Sequence, residues 1–153
     1  MQISEHLYLA EVIRSESAKR YGISNMPTEE HIANFKLLAD NIFEPIRNHF
    51  KCPILISSGY RSKELNEKIG GAKTSQHCFG QAVDIDMDGT DYGVTNSDIF
   101  KYIKSYLPFD QLIWEFGNDN NPDWVHVSYS DRHRKEILKA TRINGNVKYS
   151  LFK

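Results

Sequence analysis

The most constraining feature of this chain is a change of period partway along it. From Thr28, a good helix N-cap followed by Glu29 and Glu30, apolar residues recur at helical spacing through Ile32, Phe35, Leu38, Ala39, Ile42, Phe43 and Ile46. From Gln81 to Met87 polar and apolar residues alternate strictly. Val83, Ile85 and Met87 then point to one side, while Ala82, Asp84 and Asp86 point to the other. The first pattern buries a stripe of a helix and the second buries one face of a strand. Helical patterns come early and strand patterns late, which predicts an α+β fold: an antiparallel sheet with helices on one side.

The remaining segments fill in this scheme. Residues 5–20 read as a helix ended near Gly22, and Pro45 is expected to kink or locally unbond the long helix because it lacks an N–H. Ile54-Leu55-Ile56 reads as a buried strand feeding the loop Ser57-Ser58-Gly59-Tyr60-Arg61-Ser62. A short helix is expected over 62–68, closed by Gly70-Gly71. Thr95 and Asp98 stand in capping-box register for a helix to Leu107, stopped by Pro108. Strands are expected at 112–116 and 124–129, with Trp124, His126 and Ser128 on one face. Two more flank Asn144-Gly145, a dipeptide suited to a tight hairpin.

At 153 residues the chain suits one domain, taken as residues 1–153, and no repeat or linker divides it. Nineteen basic against twenty acidic residues give a net charge of −1, which argues against nucleic acid and anionic membranes as partners. No apolar run is long enough to span a bilayer, so membrane insertion is not expected. The N-terminus lacks the basic start and apolar stretch of a secretory signal, so cytoplasmic synthesis is expected. Cys52 and Cys78 show no metal or disulfide spacing and are expected as free thiols.

Chemistry concentrates in Ser75-Gln76-His77-Cys78-Phe79-Gly80-Gln81-Ala82-Val83-Asp84, joined by Asp123-Trp124-Val125-His126. These segments supply two imidazoles and a carboxylate. A catalytic zinc takes three such ligands and keeps an open position. Asp84-x-Asp86-x-Asp88-Gly89 copies the first half of an EF-hand loop, but its twelfth position is Thr95 where a bidentate Glu is required, and a strand precedes it. Asp86, Asp88 and Asp91 therefore read as solvated turn carboxylates. His6, His31, His49 and His133 show no site spacing, and Arg132-His133-Arg134-Lys135 reads as a solvated edge.

The pattern S-x-H-x-x-G-x-A-x-D followed by a carboxylate-x-x-H resembles the M15 family of zinc D-Ala-D-Ala carboxypeptidases and related endolysins, most closely its phage-associated branch. The resemblance runs through Ser57 to Ser62, Leu65-Asn66, Trp114-Glu115 and Trp124 to Ser128. It implies a D-Ala-D-Ala carboxypeptidase/Hedgehog-like fold and a Zn2+ held by His77, Asp84 and His126. Asp123 would be the general base for a zinc-activated water, with Glu115 in reserve as base or as a partner orienting a ligand histidine. Arg61 would face the substrate carbonyl or carboxylate, and Ser75 would bond substrate or site backbone. Many relatives carry a histidine where this chain has Trp124, which leaves Trp124 as a substrate-side residue of different chemistry.

The implied activity is hydrolysis of peptide bonds in peptidoglycan stem peptides or crosslinks by a monomer. An endolysin role would need a separate membrane-permeabilising protein to release it to the cell wall. Two rivals stay open from the sequence: a non-catalytic zinc-containing cell-wall-binding module and a cytosolic D-amino-acid dipeptidase.

Overall fold

A computed structural model describes residues 1–153. The long helical pattern forms as α3 (Glu29–Leu38), a π-helical turn (Ala39–Phe43) and α4 (Glu44–Phe50), which run on without a break. Thr28 caps it as expected, its side chain accepting from the His31 N–H. The π turn, in which the Glu44 N–H bonds to the Ala39 carbonyl, widens the helix just before Pro45. That widening gives the pyrrolidine ring room, so the expected local unbonding takes the form of a π turn and the helix continues without a kink.

The N-terminal segment departs from the helix expected over 5–20. Gln2–Ser4 (β1) and Leu7–Tyr8 (β2) pair as a small antiparallel ribbon, followed by α1 (Leu9–Ile13) and α2 (Glu16–Tyr21). Ser15 starts α2 by accepting from the Ala18 N–H, which competes with helix continuation at that point. Gly22 closes α2 in the left-handed conformation. Leu7 and Val12 are fully buried, so tertiary burial outweighs the local period.

Six strands form the main sheet: β3 (Ile56–Ser58), β4 (Ala82–Ile85), β5 (Gln111–Glu115), β6 (Trp124–Ser128), β7 (Glu136–Ile143) and β8 (Asn146–Leu151), ordered β3-β4-β6-β5-β7-β8. All neighbours are antiparallel, as expected, except β5 and β7, which run parallel. The parallel pair arises because β6 occupies the other side of β5, leaving the chain to cross over before it adds β7. Asn144 and Gly145, both at positive φ, turn β7 into β8 as the dipeptide predicts.

α5 (Lys63–Lys68) is capped by Ser62, and α6 (Asn96–Tyr106) by Thr95 and Asp98. One sheet face, carrying Val83, Ile85, Leu112, Trp114, Val125 and Val127, packs into the core with Phe35, Leu38, Ile42, Phe43, Ile99, Phe100 and Ile103. The helices α3, α4 and α6 therefore sit on one side, which leaves the face bearing Asp84, His126 and Glu115 for chemistry. β4 was expected half-buried, yet all four of its residues are buried. It lies inside the sheet, and the 3-10 turn Gln76–Phe79 packs against it.

Candidate metal centre

Register assembles the centre. Asp84 on β4 stands directly opposite His126 on β6, so the two share a face without any help from loops. His77 comes from the 3-10 turn, which Ser75 caps by accepting the His77 N–H at 3.3 Å and which Gly80 closes at positive φ. An added Cβ at Gly80 would lie 2.3 Å from the His31 carbonyl oxygen, so the turn sits hard against α3.

Three donor atoms converge. His77 Nε2 lies 3.2 Å from Asp84 Oδ1, His126 Nδ1 lies 3.0 Å from the same oxygen, and the two nitrogens are 3.3 Å apart. Zinc bonds of about 2.0–2.1 Å in a tetrahedron require ligand-to-ligand edges of roughly 3.3–3.4 Å. The observed triangle is close to one face of that tetrahedron, and two imidazoles with one carboxylate form the right donor set. Nδ1 of His77 donates to the Gly59 carbonyl at 2.6 Å, which leaves Nε2 as a bare lone pair aimed at the cluster. Burial by itself would raise the pKa of Asp84. The charge and hydrogen bonds that His77 and His126 offer when protonated, with no metal bound, outweigh burial and hold Asp84 well below the usual carboxylate range, so it is available as an anionic ligand.

Glu115 ends β5 on the same face, pairs with Trp124 and is buried. Burial pushes its pKa up to about 7 against the pull of His126 and Arg61, so it sits inside the electrostatic field of the centre. Asp123 is exposed and lines a groove with Phe116, Asn118 and Arg142, while its N–H donates to the Glu115 carbonyl. Trp124 packs edge-to-face on Phe116, whose ring also carries Arg142 at 4.3 Å. Phe116 adopts φ +58, a strained conformation for a bulky residue, and Gly117 follows with an added Cβ 2.2 Å from the Asn121 carbonyl oxygen.

Arg61 bonds backbone to backbone with His77 and donates Nη1 to Asn66 at 3.3 Å. Its Nε–H is buried without a partner, a donor left for a ligand. From Arg61 a cleft of about 420 Å³ runs past Ser57 and Ser58 to Arg14. Cys78 is buried as packing, its thiol pKa raised by burial. The acidic turn is structural: Asp86 accepts from the Asp88 N–H and from the Asn96 side chain.

Sequence reasoning missed four contributors. The Gly59 carbonyl and Asn66 act by position, while Arg142 lies far along the chain on β7. Asp110, wholly buried, accepts from Gln76, Ser130 and Arg134, anchoring the turn that carries His77. The run 132–135, expected as a solvated edge, is thus tied down: Arg134 pairs with Asp110 and Lys135 donates to the Leu107 carbonyl.

Similarity to known proteins agrees with this centre. No curated protein matches the chain. The family model described as Peptidase M15 matches residues 5–128, a stretch that includes all three metal-facing residues together with Arg61 and Glu115. On that match and that geometry, the chain belongs to the M15 family of peptidases.

Proposed function

We propose that the chain is a zinc-dependent peptidase that hydrolyses peptide bonds in peptidoglycan stem peptides or crosslinks. The observation that carries the metal is the triangle of His77, Asp84 and His126, with edges matching zinc. The substrate class rests on family resemblance, and a mostly polar cleft adjoins Arg61. Bound there, zinc would supply Lewis acidity that acidifies water and polarises a carbonyl.

The chain's own residues do the rest. The unpartnered Nε–H of Arg61 donates to the substrate carbonyl oxygen as negative charge develops. We assign proton transfer to Glu115 on its burial beside the triad: it takes a proton from the attacking water and returns it to the leaving amine as the C–N bond breaks. Asp123, favoured by the family spacing, is exposed where Glu115 is buried, so the two carboxylates are separable by substitution.

In the endolysin reading a separate permeabilising protein would release the chain to the wall; no helix here is long and apolar enough to cross a membrane. The monomer is the proposed working unit. The deciding experiment is incubation of zinc-loaded protein with purified crosslinked peptidoglycan, with and without chelator, and mass spectrometry of the released fragments. Chelator-sensitive cleavage supports the peptidase and names the bond. Wall binding without cleavage favours a recognition module, and turnover of free dipeptides alone favours a dipeptidase.

A further inference from the structure

The hairpin of β7 and β8 lies beyond the family match, which ends at Ser128, yet its register carries it into the site. Trp124 pairs with Glu115, Glu115 pairs with Ala140 across the parallel step, and Ala140 pairs with Tyr149. The four side chains therefore stand in one row on the metal-bearing face. Ala140 is wholly buried and ends at its Cβ, so in this row only a methyl group stands between Glu115 and Tyr149. Neighbouring strands are about 4.8 Å apart, which puts the backbones of Glu115 and Tyr149 roughly 10 Å apart. Side chains as long as those of Glu and Tyr can reach toward each other across that gap.

We infer that Tyr149 is a substrate-contacting residue, its phenol donating a hydrogen bond to a main-chain carbonyl of a peptide laid between Trp124 and Tyr149 across Glu115. The inference rests on the peptidase reading above and adds a specificity element from outside the matched region.

Three further observations support it. Tyr149 is 54% exposed, so a ligand reaches its hydroxyl. Burial of the ring pushes its pKa up, the charges of Glu115 and Asp84 push it further, and Arg61 opposes them. The phenol thus lies in the field of both sides of the centre and stays protonated, as a donor must, at neutral pH. The hairpin also sends Arg142 over the ring of Phe116, which packs on Trp124, so β7 and β8 wall the site at two points.

The test compares wild type with Tyr149→Phe, which removes only the hydroxyl, and with Ser150→Ala, a control on the opposite face of β8. Zinc affinity and thermal midpoint are measured on each protein, followed by kcat/KM on purified crosslinked muropeptides. Calorimetric binding of the cleaved muropeptides is measured on the same set. Tyr149→Phe is expected to keep its zinc and its midpoint, to lose about 10- to 100-fold in kcat/KM and to bind product peptide several-fold more weakly. Ser150→Ala is expected to match wild type. Equal kinetics and equal binding for Tyr149→Phe and wild type would overturn the role of Tyr149 while leaving the peptidase standing. Should wild type hydrolyse nothing, the peptidase reading falls, and the binding comparison alone decides Tyr149: weaker binding upholds the contact, and equal or absent binding overturns it.

Discussion

The Nδ1 of His77 lies 2.6 Å from the carbonyl oxygen of Gly59, a link between the metal-facing turn and the strand-end loop 18 residues earlier. It sets which imidazole nitrogen carries the proton and so which faces the metal. Gly59 is needed there for a steric reason: an added Cβ would lie 2.5 Å from the Val12 carbonyl oxygen and 2.8 Å from its Cα. Gly59→Ala must displace the carbonyl that holds His77. We expect a loss of about 1–3 kcal/mol in stability and about tenfold or more in zinc affinity, read by denaturant melts and metal titration.

Zinc itself should stabilise the fold. With free zinc at 100 times its Kd the gain is about 2.7 kcal/mol, and chelator should abolish it. Asp84→Ala and His126→Ala remove two of the three donors and should melt identically with and without zinc. A zinc-dependent shift that survives in either variant would place the ion elsewhere.

The two candidate bases separate by substitution. Glu115→Gln should retain zinc and lose about 100-fold or more in kcat, because it removes the buried group that accepts the proton. Asp123→Asn, altering an exposed carboxylate, should lose about tenfold or less. The opposite ranking would move proton transfer to Asp123.

Asp110 governs acid stability. Burial alone would raise its pKa, but the hydrogen bonds from Arg134, Gln76 and Ser130 outweigh burial and place it well below the usual carboxylate range. A depressed folded pKa contributes stability that is present above the unfolded value near 3.8 and is lost progressively as pH falls from there through the lower folded value. Asp110→Ala strands several buried donors and should cost about 3 kcal/mol at neutral pH. The gap between variant and wild type should narrow progressively as the pH of the melts is lowered below 4. A gap that stays constant down to pH 2 would contradict the assignment.

Much of the site was legible in the chain itself. His77, Asp84 and His126 lie in a spaced motif, and the alternation through β4 and β6 already put Asp84 on the polar face and His126 beside Trp124 and Ser128. Asp123 was read from the same motif, but its surroundings were not, because it falls just before β6 begins, where strand alternation no longer dictates direction.

Caps, turns and face alternation were determined by the sequence, since each depends on groups a few residues apart: Thr28 and Thr95 at helix starts, Gly22 and Gly80 at ends, Asn144-Gly145 in the hairpin. The tertiary structure decided which strands became neighbours. The β5–β7 crossover put Ala140 between Glu115 and Tyr149, the Asp110–Arg134 pair pinned the turn of His77, and the N-terminal segment gave up a continuous helix to bury Leu7 and Val12. Those outcomes hinge on apolar area and charge removed from water between segments far apart in the chain, a quantity that no local pattern of residues encodes.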